Sequence, residues 1–288
     1  MYLSVRKELD FDLSNISIVS AIETELSTID AIGGSVVSIK DYFSYCMNKH
    51  IIDIVYTTFT IGYSFLLDGI DKYATVPNAQ IDADIFGGTN KKFTIIYLVK
   101  ATATPASQKI LQSSSSFMCG FSGSGAPNIF YNSNAKELRG TTVINNALGW
   151  ALVTVSIDAE TPANCSIYIN GVSDILTINS ITATTSVTIA PYSIGRRDTG
   201  ANYFNGNIGF VSVIDRVLTD AENVSLYNGG YPLNPQAKFG ADCKWFFNPD
   251  KAVFGGVNYT ETDVINTVTL TTVNIMEADK VADSPYIL

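Results

Sequence analysis

The chain has 288 residues, of which 46% are hydrophobic and 16% charged, so it can bury a sizeable core and global disorder is excluded. Its net charge of −9 argues against a nucleic-acid partner held through phosphates. No apolar run is long enough to cross a bilayer, and the N-terminus lacks the apolar stretch of a secretory signal, so we expect neither membrane insertion nor secretion.

The first 57 residues predict a small N-terminal adaptor that is helical at first and extended later. Apolar residues recur at helical spacing between residues 17 and 32, and Gly33-Gly34 ends the pattern. Shorter apolar segments follow, up to Tyr56. Such faces need cover, from the rest of the chain or from another copy, so we expect residues 1–57 to attach or oligomerise the protein.

Residues 58–231 have the pattern of an all-β domain, in which short β-branched and aromatic runs alternate with Gly, Asn, Asp, Ser and Pro clusters. Asn170-Gly171 and Asn205-Gly206 are predicted tight turns, because both residue types accept positive φ. Thr219 is the predicted N-cap of a short helix whose first turn contains Asp220 and Glu222.

Five stretches of this region resemble, in the same order, strands of laminin-G-like, concanavalin A-like jelly rolls. One is Tyr168-Ile169-Asn170-Gly171, which is similar to the family's Tyr-Val-Asn-Gly. The stretches span residues 65–74, 93–100, 149–155, 166–171 and 192–227, with Leu67, Lys72 and Leu98 as departures. The resemblance implies a mainly β, concanavalin A-like (laminin-G-like) jelly-roll sandwich over residues 58–231, a fold that hosts many unrelated functions.

Residues 232–288 predict a connector around Pro232 and Pro235, followed by an extended β segment. That segment either projects as an appendage or returns as a strand that pairs with the jelly roll. Residues 245–250 and 272–285 resemble the tail of virion proteins of tailed bacteriophages, although Asn248-Pro249-Asp250 replaces the usual glycine-aspartate. The resemblance implies a head, tail or fibre decoration that contacts other virion proteins and forms a homo-oligomer, by analogy a trimer.

The cysteines are widely spaced and predict unpaired thiols rather than disulfides. They are Cys46, Cys119, Cys165 and Cys243, with no Cys-x-x-Cys pair among them. Free thiols suit a reducing compartment, so the predicted location is a virion that is assembled in the host cytoplasm.

Paired carboxylates of a glycoside hydrolase are not predicted. Hydrolases of this fold place them on one strand as Glu-x-Asp-x-x-Glu, and Glu261-Thr262-Asp263 begins that pattern, but Asn266 stands at the position of the second glutamate. His50 is the only histidine and lies in the predicted adaptor. One carboxylate cannot be nucleophile and general acid at once, so we expect no enzyme activity.

Sugar recognition needs exposed aromatic rings beside amide or carboxylate groups. The candidates are Tyr131, Asn132, Asn134, Asn202 and Tyr203, for which the alternative is packing in the core or the rim. Arg196 and Arg197 are candidates for binding an anion, and for Arg196 the favoured alternative is a structural pair with a carboxylate. Laminin-G-like relatives often hold Ca²⁺ at one rim, which makes Asp82, Asp84 and Asp198 candidate ligands, with solvated loop aspartates as the alternative. No other cofactor is expected.

Three functional hypotheses follow. The chain is a structural virion protein whose lectin-like jelly roll contacts a host-surface polysaccharide, a carbohydrate-binding module not tied to a virion, or a glycoside hydrolase. The C-terminal resemblance, the absence of a signal peptide and the unpaired thiols favour the first hypothesis. The missing carboxylate pair disfavours the third.

Overall fold

The computed structural model describes residues 62–76, 92–113, 117–131, 136–182, 192–197, 199–256, 258–262 and 269–285. The chain divides into two compact units, Met1–Thr58 and Phe59–Leu288, and every described residue lies in the second. The predicted adaptor at residues 1–57, with Cys46 and His50, therefore lies outside the described residues.

The described elements are mostly short strands. In chain order they are β1 (Gly62–Asp68), β2 (Tyr73–Val76), β3 (Lys92–Ala101), β4 (Lys109–Ser113), β5 (Phe117–Phe121), β6 (Pro127–Tyr131), β7 (Lys136–Arg139), β8 (Trp150–Asp158), β9 (Ser166–Ile169), β10 (Val172–Ser173), β11 (Ile178–Asn179), β12 (Tyr192–Ile194), β13 (Asn205–Ile214), β14 (Cys243–Phe247), β15 (Val253–Phe254), β16 (Tyr259–Thr262), β17 (Thr269–Val273) and β18 (Lys280–Ser284). The α-helices are α1 (Asp220–Tyr227) and α2 (Pro235–Phe239). Single 3-10 turns lie at Asn146–Leu148, Pro162–Asn164, Asn228–Gly230, Gly240–Asp242, Pro249–Lys251 and Glu277–Asp279.

These strands form two antiparallel sheets. The eight-stranded sheet has the order β10-β9-β8-β3-β13-β1-β18, with β14 beside β13. The ten-stranded sheet has the order β11-β7-β6-β5-β4-β12-β2-β17-β16-β15. Inward residues of both sheets form one buried cluster, which includes Phe65, Tyr97, Phe117 and Trp245. The predicted mainly β jelly-roll sandwich is thus confirmed.

The eight-stranded sheet is buried on both of its faces. On β3, Ile95 and Tyr97 point into the core between the sheets, whereas Ile96 and Leu98 belong to a second buried cluster on the outer face. Helices α1 and α2 contribute Leu226 and Phe239 to that second cluster. Double burial explains why β3 has a nearly continuous apolar sequence rather than an alternating one.

The C-terminal segment returns to the jelly roll, which decides between the two alternatives left by the sequence. Strand β14 pairs with β13, β17 pairs with β2, and β18 pairs with β1. Strands β14 and β1 share one side of the long strand β13, because β1 pairs with Asn205–Ile208 and β14 with Val211–Ile214. The segment therefore completes both sheets and supplies core residues, among them Trp245.

Local turn and cap signals have mixed outcomes. Asn170-Gly171 forms the predicted turn after β9, with φ of 53° and 74°, and β10 follows at once. The turn predicted at Asn205-Gly206 is wrong, because both residues open strand β13. Glycine is needed there for close packing: a Cβ on Gly206 would lie 2.3 Å from the carbonyl oxygen of Lys100.

The predicted N-cap of α1 is confirmed. Thr219 Oγ1 accepts a hydrogen bond from Glu222 N at 3.2 Å, and Glu222 Oε2 accepts one from Thr219 N at 2.9 Å. The pair is a reciprocal capping box. Arg216 also donates to Glu222 Oε2 and Oε1, at 2.9 and 2.7 Å, so the start of the helix is tied to the end of β13.

The three described cysteines, Cys119, Cys165 and Cys243, are free and buried, as predicted. Burial raises the pKa of the Cys119 thiol to about 12, which makes it a packing residue rather than a nucleophile. Among the described residues there is no helix with the length and apolarity to span a bilayer.

Candidate functional site

A sandwich offers two outer faces, and they differ in this protein. The outer face of the eight-stranded sheet is covered by α1 and α2: its apolar side chains form a buried cluster with theirs, and its polar side chains, among them Thr94, Thr154 and Ser156, are buried and hydrogen-bonded. On the ten-stranded sheet, alternation with the core residues directs a largely polar set outward. These outward residues are Thr75, Lys109, Gln112, Met118, Asn128, Phe130, Glu137, Arg139 and Ser193.

The pairing register arranges part of this set in two parallel rows. Lys109 pairs with Gly120, Gly120 with Asn128, and Asn128 with Arg139, so the first row crosses β4, β5, β6 and β7. In the next row Phe130 pairs with Glu137. We call Lys109, Asn128, Phe130, Glu137 and Arg139 the outer-face cluster.

Glu137 is held by its two neighbours in this cluster. Asn128 Nδ2 donates to Glu137 Oε1 at 3.1 Å, and Arg139 Nε donates to the same oxygen at 2.7 Å. The guanidinium of Arg139 also approaches it to 2.5 Å. Glu137 and Arg139 therefore form an ion pair on this face.

The side chain of Lys109 is a buried cation with a single hydrogen bond. Its residue is 6% exposed, its Nζ donates to the carbonyl oxygen of Phe121 at 3.1 Å, and it lies 5.7 Å from the centre of the Phe130 ring. No salt bridge to a described carboxylate compensates its charge. Burial, reinforced by the nearby charges of Arg197 and Arg139, lowers the pKa of Lys109 to about 8, against the opposing effects of Cys119 and Glu137.

Further polar atoms in this region are buried without a hydrogen-bond partner. Among them are Oδ1 of Asn128, whose residue is 1% exposed, and Nε of both Arg196 and Arg197. Buried polar atoms are nearly always hydrogen-bonded in folded proteins, so each such atom requires an explanation. An unpaired acceptor and an undersatisfied ammonium in one row can complete their hydrogen bonds with a polar ligand or with water.

The loop between β12 and β13 forms a second group, at the end of the sheet next to Lys109. Arg196 lies with its guanidinium carbon 3.4 Å from the centre of the Tyr73 ring, and the Tyr73 and Tyr203 rings are 6.3 Å apart. We call Tyr73, Arg196 and Tyr203 the rim cluster. Arg196 therefore stacks on an aromatic ring, contrary to the predicted carboxylate partner.

Backbone geometry places this loop. Gly195 has φ of 81°, and a Cβ there would lie 2.4 Å from Leu67 Cδ1, so glycine permits the chain to turn tightly against β1. A bridge between Arg197 and Ala201 then closes the loop. The carbonyl oxygen of Asn202 accepts a hydrogen bond from Lys109 N at 3.1 Å, which joins the rim to the outer-face cluster.

The sugar-binding candidates from the sequence separate into three groups. Asn202 and Tyr203 lie half-buried in the rim loop. Tyr131 corrects a prediction: it is 0% exposed and its ring lies 5.8 Å from that of Phe93, because alternation on β6 directs Tyr131 inward with Ile129. It cannot stack on a sugar. Asn132 and Asn134 lie outside the described residues.

The candidate Ca²⁺ ligands Asp82, Asp84 and Asp198 also lie outside the described residues, as do Asp263 and Asn266. Within the described ranges, no group of three or more His, Cys, Asp or Glu side chains comes together as a metal site. Glu261 lies on β16.

Sequence reasoning missed the whole outer-face cluster. The available signal was the spacing of Asn128 and Phe130 on one strand and of Glu137 and Arg139 on the next, which directs both pairs away from the core. That signal does not include the register that aligns Lys109 with them.

An open cleft of about 350 Å³ lies elsewhere, between residues 163–166 and 217–220. Asp220 at its edge accepts a hydrogen bond from the Tyr168 hydroxyl, and Asn164 donates to Asp158 at 3.0 Å. The first hydrogen bond holds the start of α1 against β9, and the second holds the end of β8 against the turn at Pro162–Asn164. No cationic or aromatic side chain lines the cleft. It is the less favourable of the two sites for a sugar.

Comparison with known proteins identifies relatives of the fold. A family described as the concanavalin A-like lectin/glucanases superfamily matches residues 68–222. A predicted carbohydrate-binding protein from Bacteroides ovatus superposes with a TM-score of 0.52 at 14% identity, over 75% of this chain and 59% of that one. The chain thus spans less than two thirds of that structure, and at this identity the likeness shows the fold alone.

Two more distant structures also match. A sialidase from Trypanosoma rangeli has a TM-score of 0.41 at 15% identity, over 57% of this chain and 27% of the sialidase. A heptameric pentraxin from Limulus polyphemus has a TM-score of 0.37 at 16% identity, over 56% of this chain and 83% of the pentraxin. No curated protein matches the chain.

Proposed function

Because this chain belongs to the concanavalin A-like lectin/glucanases superfamily, we propose that it is a non-catalytic carbohydrate-binding module that uses the rim cluster and the adjoining outer face of the ten-stranded sheet. The observation that carries the proposal is the difference between the two outer faces: one is covered by α1 and α2, and the other carries polar and aromatic side chains, of which Phe130, Glu137 and Arg139 are partly exposed. A sugar needs such a combination, since its ring faces are apolar and its edges carry hydroxyl groups.

The rim supplies the aromatic part of such a site. Tyr203 is half-buried, so one part of its ring is fixed by packing against Tyr73 and the rest is accessible. Arg196 stacks on the neighbouring Tyr73 ring and holds that ring in place. A ring immobilised before binding loses little conformational entropy when a sugar stacks on it, which favours affinity.

Binding without hydrolysis is supported by the carboxylates on this face. Retaining and inverting glycosidases both require two carboxyl groups at a defined separation. Among the outward positions described on β2, β4 to β7 and β12, Glu137 alone carries a carboxyl group, and it is hydrogen-bonded by Arg139 and Asn128.

The direct test is a glycan array, followed by titration calorimetry with the best ligands and their oligosaccharides. Tyr203→Ala is expected to weaken binding about tenfold, equivalent to about 1.4 kcal/mol, because it removes the stacking surface. The control is Tyr231→Ala, a 46% exposed tyrosine between α1 and α2 on the other side of the sandwich, which should bind as the unmodified protein does. Equal weakening in both variants, or an array without signal, would refute the proposal.

We further propose that this module is a structural protein of a tailed-phage virion, where it would contact a host-surface polysaccharide. One support is the resemblance at residues 245–250 and 272–285. A second is the position of Gly62 and Ser284 relative to the rim cluster. Gly62 pairs with Ser284 at one end of the sandwich, and Asp68 pairs with Asn205, next to the rim cluster, at the other end. An attachment near Gly62 and Ser284 would direct the rim outward.

This placement has its own tests. Mass spectrometry of purified particles should detect the chain, and its absence from particles would remove the virion role without touching sugar binding. Light scattering on the full chain should give the mass of a homo-oligomer, by analogy a trimer, and a monomer would contradict that part of the proposal.

A further inference from the structure

The charge of the outer-face cluster differs from that of the whole molecule. The chain carries a net charge of −9, yet Lys109, Arg139 and the nearby Arg197 place three cations around one carboxylate, Glu137. Arg139 and Glu137 neutralise each other through direct hydrogen bonds. The remaining positive charge resides on Lys109 and Arg197, neither of which forms a salt bridge with a described residue.

A buried ammonium without an anion is unfavourable, because burial removes hydration that only a counter-charge or further hydrogen bonds can replace. Lys109 satisfies one of its three donors, through the carbonyl oxygen of Phe121. Beside it in the row, beyond the side-chain-free Gly120, Asn128 Oδ1 is an acceptor without a donor. The row therefore lacks an anion at one position and a hydroxyl or amide donor at the next.

We propose that the outer-face cluster binds an acidic sugar of the uronic acid type, with its carboxylate on Lys109 and an adjacent hydroxyl donating to Asn128 Oδ1. Phe130, half-buried in the next row with its ring centre 5.7 Å from Lys109 Nζ, presents an apolar surface for the C–H face of the ring. The inference deepens the proposed carbohydrate-binding function and rests on it. It adds the class of sugar and the residues that select it.

Exposure decreases along the first row, which indicates the side of approach. The Arg139 side chain is 33% exposed, whereas Asn128 and Lys109 are buried. The carboxylate of Glu137 repels an anion placed too close to Arg139, so the favourable position for the ligand carboxylate is at Lys109 and Arg197.

The probes are short oligogalacturonates, the same oligomers after reduction of their carboxyl groups to alcohols, and dextran sulfate, each titrated into the full chain by calorimetry. We expect the oligogalacturonates to bind at least tenfold more tightly than their reduced forms, because reduction removes only the charge. Equal affinity for the two would overturn the inference. Binding of dextran sulfate alone would also overturn it, in favour of a sulfate site.

The dependence on pH provides a readout that a structural role of Lys109 would not give. The titratable and charged groups that face Lys109 are Arg197, Glu137, Arg139 and Cys119. Since the Lys109 pKa is about 8, the affinity for oligogalacturonates should fall about tenfold between pH 7 and pH 9. Lys109→Arg should keep the affinity at pH 7 and lose this decline, because arginine stays charged throughout.

Lys109→Met should weaken oligogalacturonate binding at least tenfold at pH 7, and Lys238→Met is the matched control, since Lys238 lies on α2 on the other side of the sandwich. If Lys109→Met does not fold, Lys109→Arg still tests the proposal. If the oligogalacturonate affinity of Lys109→Arg fell with pH as much as that of the unmodified protein, the role of Lys109 would be refuted. Binding of neutral glycans without oligogalacturonates would refute the acidic sugar but not the proposed function. An absence of binding to any glycan would refute both.

Discussion

Trp245 tests whether the C-terminal segment belongs to the core of the jelly roll. It lies on β14, pairs with Val213 on β13, and is 1% exposed in the cluster between the sheets. Replacing a fully buried tryptophan by alanine removes its burial energy and leaves a cavity, which together cost about 3–5 kcal/mol. In a unit of this size each kcal/mol lowers Tm by about 2–4 °C, so Trp245→Ala should lower Tm by about 6–20 °C.

The assays are thermal and urea unfolding, both followed by far-ultraviolet circular dichroism, which does not depend on the fluorescence of the tryptophan that is removed. Trp245→Phe, which keeps part of the volume, should lose less stability than Trp245→Ala. Val253→Ala is the control from the same segment, because Val253 is 68% exposed on β15 and its truncation should change stability by no more than about 0.5 kcal/mol. Equal urea midpoints for Trp245→Ala and Val253→Ala would show that the segment is not part of the core.

Two further predictions concern acid stability and strand packing. The hydrogen bonds from Arg216 hold the pKa of Glu222 at about 2. A depressed pKa stabilises the fold above the unfolded value near 4.5 and loses that effect as pH falls through about 2, so Glu222→Gln should cost about 1 kcal/mol at pH 7, discounted for solvent screening, and about a quarter of that at pH 2.5. Urea unfolding across this pH range measures the difference, and a constant difference would contradict it. Gly120→Ala should cost about 1–3 kcal/mol, because its Cβ would lie 2.5 Å from the carbonyl oxygen of Gln108. Gly123→Ala, whose nearest atom would be 3.9 Å away, should be nearly neutral, and equal losses would refute the steric argument.

Local signals in the sequence predict local structure well in this protein. Thr219 and Glu222 are three residues apart, so the capping box depends on no distant contact. Asn170-Gly171 forms its turn for the same reason. Asn205-Gly206 has the same two residue types but opens β13, because Gly206 is needed for the close approach of β3. Tertiary packing overrides the local preference at the second site.

The candidate site depends on the pairing of strands that are distant in the sequence, so most of it could not be predicted from the sequence. Lys109 and Arg139 meet through the registers of β4, β5, β6 and β7, and a shift of one residue in any register would direct them to opposite faces. Tyr131 illustrates the same limit. Its tyrosine and the asparagines that follow suggest an exposed sugar platform, yet the inward position on β6 places its ring in the core.

The antiparallel pairing of β1 with β18 has a mechanical consequence. Gly62 lies opposite Ser284, so a force that separates these two residues would open the β1–β18 hydrogen bonds one after another, as a zipper opens. A force applied between Gly62 and the rim cluster acts along the strands instead, and loads the hydrogen bonds of β1 with β13 and β18 together. This part of the sheet is therefore mechanically anisotropic: it resists tension along β1 better than tension that separates Gly62 from Ser284.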